Sequence, residues 1–365
     1  MLPRCRIITL CCLSAWSCAA LAATPQQLNV YNWSDYIGDQ TVAHFEQATG
    51  IKVKYDVYDS NDTLQAKLLT GKAGYDIVVP SANFLGRQID AGIYRKLDKS
   101  RLPNLVNLDK NIMRLAQEND PGGKYSVPWA WVTIGMGVNL DKVKSRLGSE
   151  APLNSWELLF DPARLAALKG CGVSVLDEPS DVLPAVLHYL HRDPASTNPA
   201  DYQAAFEVLK KIRPYITQFN SSGYINDLAN GDICLALGYS GDVNIAKHRA
   251  LEAHKSYRVE YIIPKSGAPV GFDMMAIPRD AANPEAALAW INFIQDPAIN
   301  AEITNKVYYP TANLAARKYV KPELANDPSI YPSEAVMKTL FPLKPLPPDV
   351  MRLEHRLWTQ LKTGI

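Results

Sequence analysis

From Gln27 to Gly92 the chain switches repeatedly between the period of a strand and the period of a helix, and this alternation limits the fold more than any other feature. Gln27–Tyr31 is a short strand candidate, followed by the loop Asn32-Trp33-Ser34-Asp35-Tyr36. Asp39 can cap a helix from Gln40 to Thr49, which Gly50 stops. Ile51, Val53, Tyr55 and Val57 then alternate with Lys52, Lys54 and Asp56, the pattern of a half-buried strand. Asn61 or Asp62 opens a second helix with Leu64 and Leu68 on one face. Asp76–Pro80 predicts a buried strand, and Ser81 can cap a helix up to Gly92. Such an order predicts an α/β unit of parallel strands with ligand loops at their carboxyl ends.

A chain of 365 residues is too long for one compact core, so two lobes are expected, the second starting after Val127-Pro128-Trp129. Its elements are the strands Gly172–Leu176 and Ile233–Leu237 and the helix Asp201–Ile212, with further strands at Arg258–Ile263 and Phe272–Ile277. More than one chain crossing would hinge the lobes around a cleft. The formal net charge of +1 removes the broad electrostatic case for nucleic-acid or anionic-membrane binding.

Residues 1–22 carry Arg4 and Arg6, an apolar run and the small-residue signal Ala20-Leu21-Ala22, which predicts an export signal peptide. The run is shorter than the ~20 apolar residues of a membrane span. Export would leave only Cys171 and Cys234 of the six cysteines. In an oxidising compartment two thiols are read as a disulfide, the alternative being two separate buried thiols.

No nucleotide-binding glycine motif, zinc-protease motif or nucleophile elbow is present, and nothing argues for an enzyme. His188 and His191 stand at i, i+3 on an expected helix but lack companion ligands, so a solvated helix face is the better reading. What stands out is a set of acids and aromatics just after strands: Trp33, Ser34, Asp35, Tyr36 and Ser81, then Asp181, Tyr239 and Asp242, with Tyr309 in a late loop. Asp273 interrupts the apolar run Phe272–Ile277. A carboxylate buried there needs a partner, because leaving it ionised and alone costs on the order of several kcal/mol. The alternative is an Asp on a wet strand edge. Acids with aromatic faces suit an organic amine, since ring faces attract ammonium groups and methylenes.

Several segments then carry a resemblance. They are Val30-Tyr31-Asn32-Trp33-Ser34-Asp35-Tyr36-Ile37, Tyr75-Asp76-Ile77-Val78-Val79-Pro80-Ser81, Leu176-Asp177-Glu178-Pro179, Gly241-Asp242-Val243 and Phe272-Asp273. Through them the chain resembles the periplasmic putrescine/spermidine-binding proteins of bacterial ABC transporters, over essentially its whole mature length. The resemblance implies a two-lobed type II periplasmic binding protein with a hinged interlobe cleft, no cofactor, a monomeric state, a polyamine ligand and an inner-membrane ABC permease as partner. The lobes would be 23–129 with 253–306, and 130–252 with 307–365. The resemblance places Trp33, Ser34 and Ser81 on the first-lobe wall and Asp35 and Tyr36 at the rim or floor. It places Asp181 on a terminal amine, Tyr239 on the methylenes, Asp242 and Asp273 on an amine, Tyr309 near the pocket, and Cys171 with Cys234 in a disulfide.

Three positions depart from the family pattern. Asp181 replaces a usual Glu, Tyr239 a usual Trp, and Gly271 a common aromatic. Each enlarges the pocket, which points to spermidine or agmatine over putrescine. Two other readings are a ferric-ion receptor using Tyr308 and Tyr309, and an amine sensor for a membrane signalling partner.

Overall fold

The computed structural model describes residues 26–364, so the segment read as a signal peptide lies outside the described residues. Ten strands are described: β1 (Gln27–Trp33), β2 (Lys52–Tyr58), β3 (Ile77–Val78), β4 (Ser126–Asn139), β5 (Val173–Val175), β6 (Gln218–Phe219), β7 (Leu235–Tyr239), β8 (Val259–Ile262), β9 (Pro269–Ala276) and β10 (Phe341–Pro342). Their spatial order is β2-β1-β3-β9-β4-β7-β5-β6, with β10 on β9 and β8 on β4. β1 runs parallel to β2 and β3, as the early alternation requires, and β5 runs parallel to β6 and β7.

The long strand β4 links the two lobes. Ser126–Thr133 pairs with β9, whereas Ile134–Asn139 pairs with β7 and β8. All of its 14 residues are buried, so it shows none of the alternation that marks a one-faced strand. Pro128, Gly135 and Gly137 also read as breakers in sequence. Gly135 is needed for close packing, because a Cβ there would lie 2.7 Å from the Ile262 carbonyl oxygen.

Each lobe buries its own core. In the first, Leu28 and Val30 face Phe45, Trp290 and Ile291, while Tyr31 packs on the opposite face with Tyr58, Leu64 and Leu85. This division follows from the two-residue period of β1. In the second, β5 and β7 pack with the helices Pro179–Tyr189, Pro199–Ile212 and Pro348–Thr363. β8, expected in the first lobe within 253–306, pairs with Met136–Asn139 and buries Val259 and Tyr261 in the second core. The apolar period located the strand; only the sheet order decides its neighbours.

Cys171 and Cys234 form a disulfide with Cα atoms 5.5 Å apart. They flank neighbouring strands, where the Cys234 amide donates to the Gly172 carbonyl at 2.9 Å. Asp39 does not cap the helix Thr41–Thr49; it pairs with Lys306 at 2.9 Å. Among the described residues, no helix is long and apolar enough to cross a membrane.

Candidate functional site

A cleft of about 780 Å³ lies between the lobes. All ten residues expected at a site line it: Trp33, Ser34, Asp35, Tyr36 and Ser81 from the first lobe, Asp181, Tyr239 and Asp242 from the second, then Asp273 and Tyr309. The strand directions explain the gathering. Through β9 and β4, β1 runs antiparallel to β5 and β7, so the carboxyl ends of the two lobes' parallel strands face each other across the cleft and release their following loops into it.

Directly after β1 the backbone turns at Asp35, which takes a left-handed φ of 53°. Asp tolerates that conformation better than most residues. The Ser34 amide donates to the Tyr58 carbonyl at 3.1 Å and anchors the turn. Ser34 and Asp35 are therefore exposed at the rim, while Tyr36 is buried beneath them.

Ser81 occupies the cap position of the helix Ala82–Asp90 but makes no capping hydrogen bond. Its Oγ donates instead to Asp273 Oδ1 at 2.8 Å, and Tyr36 Oη donates to Asp273 Oδ2 at 2.8 Å. Both oxygens thus meet neutral donors, and burial pushes the Asp273 carboxyl up to about 6. The wet-edge alternative for Asp273 is gone, since the residue is only 8% exposed.

Asp242 sits in the first turn of the helix Ser240–Glu252. It accepts from Tyr309 Oη at 2.6 Å and from Tyr224 Oη at 3.0 Å, and burial pushes it up to about 6. The Tyr36 and Tyr309 rings meet edge to face at 4.8 Å, so a continuous contact runs from Asp273 through two tyrosines to Asp242.

Asp181 opens the helix Pro179–Tyr189 and accepts from Tyr239 Oη at 2.6 Å. The Tyr at position 239 therefore supplies a hydroxyl that a Trp could not, and it holds Asp181 against the wall. Burial raises Asp181, with the charge of Asp273 adding to it. Glu178, at the cap position of the same helix but making no capping hydrogen bond, is 9% exposed and is raised by burial and then by Asp181. Sequence reasoning quoted Glu178 without assigning it to the site; its place just after β5 was the available signal. Tyr58, Asn61, Phe219 and Phe272 also line the cleft and were missed. Tyr224 was missed too, because it acts from behind the wall, on Asp242 and on the Tyr239 amide at 2.9 Å.

The electrostatic character is one-sided. Seven carboxylate residues line the cleft (Asp35, Asp59, Asp177, Glu178, Asp181, Asp242 and Asp273), and the lining contains no Lys, Arg or His. Asp177 is held by Lys362 at 2.6 Å, but no ion pair among the described residues involves Glu178, Asp181, Asp242 or Asp273. Buried acids held only by neutral donors favour an incoming cation over remaining ionised alone.

The adjacent tyrosines part company. Tyr308 takes a left-handed φ of 59° and stacks on His248 with ring centroids 4.3 Å apart, leaving Tyr309 alone on the cleft. The structure therefore separates the two phenols that a ferric site would need together. His188 is half-exposed, with its Nε2 2.9 Å from the Ser266 carbonyl oxygen and its ring packed on Phe341 at 4.7 Å. His191 falls beyond the helix end.

Residues 40–332 match the model of the bacterial extracellular solute-binding proteins. The chain is 54% identical over 345 residues to the putrescine-binding periplasmic protein SpuD of Pseudomonas aeruginosa (strain UCBPP-PA14), covering 94% of each. It is 48% identical to the putrescine-binding periplasmic protein PotF of Escherichia coli (strain K12), covering 96% of this chain and 95% of that one. The solved structure of the spermidine/putrescine ABC transporter substrate-binding protein PotD of Streptococcus pneumoniae superposes with a TM-score of 0.77 at 27% identity, covering 93% and 99%. The chain belongs to the bacterial extracellular solute-binding proteins.

Proposed function

We infer that this chain is a periplasmic receptor that captures a linear polyamine between its lobes and delivers it to an inner-membrane ABC permease. The carrying observation is the cleft lined by buried acids and aromatic rings with no cationic side chain. The names of the relatives, putrescine-binding periplasmic proteins, support the same ligand class. In this reading Asp242 and Asp273 hold one ammonium, Asp181 holds another, and Trp33 and Tyr239 flank the methylenes between them. Capture, closure and release involve no covalent step. Closure follows because ligand contacts to both lobes exist only in the closed state. Micromolar affinity needs about −8 kcal/mol, which charge-assisted hydrogen bonds and ring faces of roughly 0.5–2 kcal/mol each can supply. The lobes we propose comprise 26–133 with 269–307, and 134–262 with 348–363, which moves β8 into the second.

Calorimetry with putrescine, cadaverine, spermidine and agmatine tests the function. At least one should bind with micromolar or better affinity, and heat-silent titrations with all four would overturn the reading. Asp181, Tyr239 and Gly271 support a preference for spermidine or agmatine; tightest binding of the shortest diamine would refute that preference alone.

Affinity should also depend on pH. Asp242 and Asp273 are each pushed up to about 6, while aliphatic amines stay charged to about 10. At pH 8 both carboxyls are ionised and ready. At pH 5 both are mostly protonated, and the ligand must displace a proton from each. The expected loss is about tenfold for each of these two groups, and protonation of Asp181, which burial raises to about 7, adds to it, so affinity should fall by at least on the order of 100-fold between pH 8 and pH 5. Titrations across that range, in buffers of different ionisation enthalpy, would show proton release on binding at pH 5; a flat profile would contradict the assignment of these acids.

A further inference from the structure

Behind Glu178 lies a second, much smaller cavity of about 20 Å³, room for about one water. Arg87 reaches it from the helix Ala82–Asp90, whose Ala82 and Leu85 belong to a first-lobe core. Met351 and Glu354 reach it from the helix Pro348–Thr363, which packs with the second-lobe helices Pro179–Tyr189 and Pro199–Ile212. The cavity thus straddles the lobe boundary on the far side of an acid that lines the ligand cleft.

Two buried polar atoms at this boundary have no hydrogen-bond partner, Arg87 Nη2 and Glu354 Oε1. Glu354 is only 2% exposed. The Arg87 guanidinium lies over the Phe84 ring at 4.7 Å, and its Nη1 donates to Met351 Sδ, a weak acceptor for such a donor. No ion pair within 4.0 Å among the described residues joins Arg87 to a carboxylate. Each group nevertheless feels the other as its leading charge partner: burial lowers Arg87 against the pull of Glu354, and pushes Glu354 up to about 8 against the pull of Arg87. A buried guanidinium and a buried carboxyl that each leave a polar atom unpartnered, carried by elements of different lobes and facing one small void, gain by meeting, and the meeting would release the proton that burial holds on Glu354.

We propose that Arg87 and Glu354 form an interlobe latch, an ion pair completed when the lobes close on ligand and broken when they open. This rests on the receptor reading above. The latch would add to the stability of the closed state without touching the ligand, so Arg87 and Glu354 are positioning residues for the ligand site. Its place behind Glu178 joins the latch to the acid wall of the second lobe.

The test compares wild type, Arg87→Met, Glu354→Gln and the double variant, using calorimetry with putrescine and spermidine and small-angle X-ray scattering with and without ligand. Each single variant should weaken binding about tenfold, and the double variant no more than either, because both changes break one pair. The loaded variants should stay closer to the open radius of gyration than loaded wild type does. Glu354→Gln is isosteric and carries the test alone if Arg87→Met fails to fold. Replacing an unpaired buried acid should leave the empty protein at least as stable as wild type, so its affinity and its melting temperature should not fall together. Singles within twofold of wild type, losses that multiply in the double variant, or a parallel fall in melting temperature would each overturn the latch. Wild type that binds none of putrescine, cadaverine, spermidine and agmatine would overturn the receptor reading instead.

Discussion

Asp273→Asn is expected to weaken polyamine binding by about a hundredfold or more, and at the same time to raise the melting temperature of the empty protein. The first effect follows from burial: removing one partner of a desolvated charge pair costs about 3–5 kcal/mol. The second follows from the sign of the pKa shift. Asp273 is held at about 6 in the folded protein, above the ordinary carboxyl value near 4 of an unfolded chain. Its contribution to stability is therefore full below pH ~4 and is lost as pH rises through about 6. At neutral pH the ionised, desolvated group opposes folding, and replacing it with Asn removes on the order of 1–3 kcal/mol of that opposition. Asn retains an oxygen for Ser81 Oγ or Tyr36 Oη, the two donors that Asp273 uses. Asp56→Asn is the control. Asp56 is paired with Lys54 at 2.8 Å and accepts from Tyr75 Oη at 2.9 Å, away from the cleft, so its loss should change affinity by less than about twofold. Calorimetry and thermal unfolding on the two variants decide the matter. Equal affinity losses would remove Asp273 from the site, and a lower melting temperature for Asp273→Asn would show that its hydrogen bonds outweigh its desolvation.

Cys171→Ser with Cys234→Ser should lower stability by about 4 kcal/mol, from the chain entropy regained by an unfolded loop closed over a sequence separation of 63. A change of that size corresponds to a fall in melting temperature on the order of 10 °C. The bridge clamps β5 to β7, and these strands deliver Glu178 with Asp181 and Tyr239 with Asp242 to the cleft. The acids keep their own hydrogen bonds when the bridge is removed, including Tyr239 Oη to Asp181 and Tyr309 Oη to Asp242. Affinity at 25 °C should therefore change far less than stability. Thermal unfolding with and without reductant, followed by calorimetry on the double serine variant, checks both halves. An unchanged midpoint would mean that the strand pairing alone carries this region.

The sequence by itself determined the local elements and the chemistry of the site. Period and breakers placed β1, β2, β5, β7 and β9 to within a few residues, because backbone preference and one-sided burial act over a handful of neighbours. Asp273 was legible as a group needing a partner because a charge in an apolar run is conspicuous. β4 was not legible as one strand, since burial on both faces erased its alternation. Only the tertiary structure decided the partners. Tyr36 meets Asp273 across 237 residues, and Ser81 leaves its helix-cap role for the same acid across 192. Tyr308 and Tyr309 are neighbours in the chain, yet one faces His248 and the other the cleft. Such pairings depend on the order in which strands join the sheet, which local periodicity does not encode. The same order brings Arg87 and Glu354 to one void from opposite lobes.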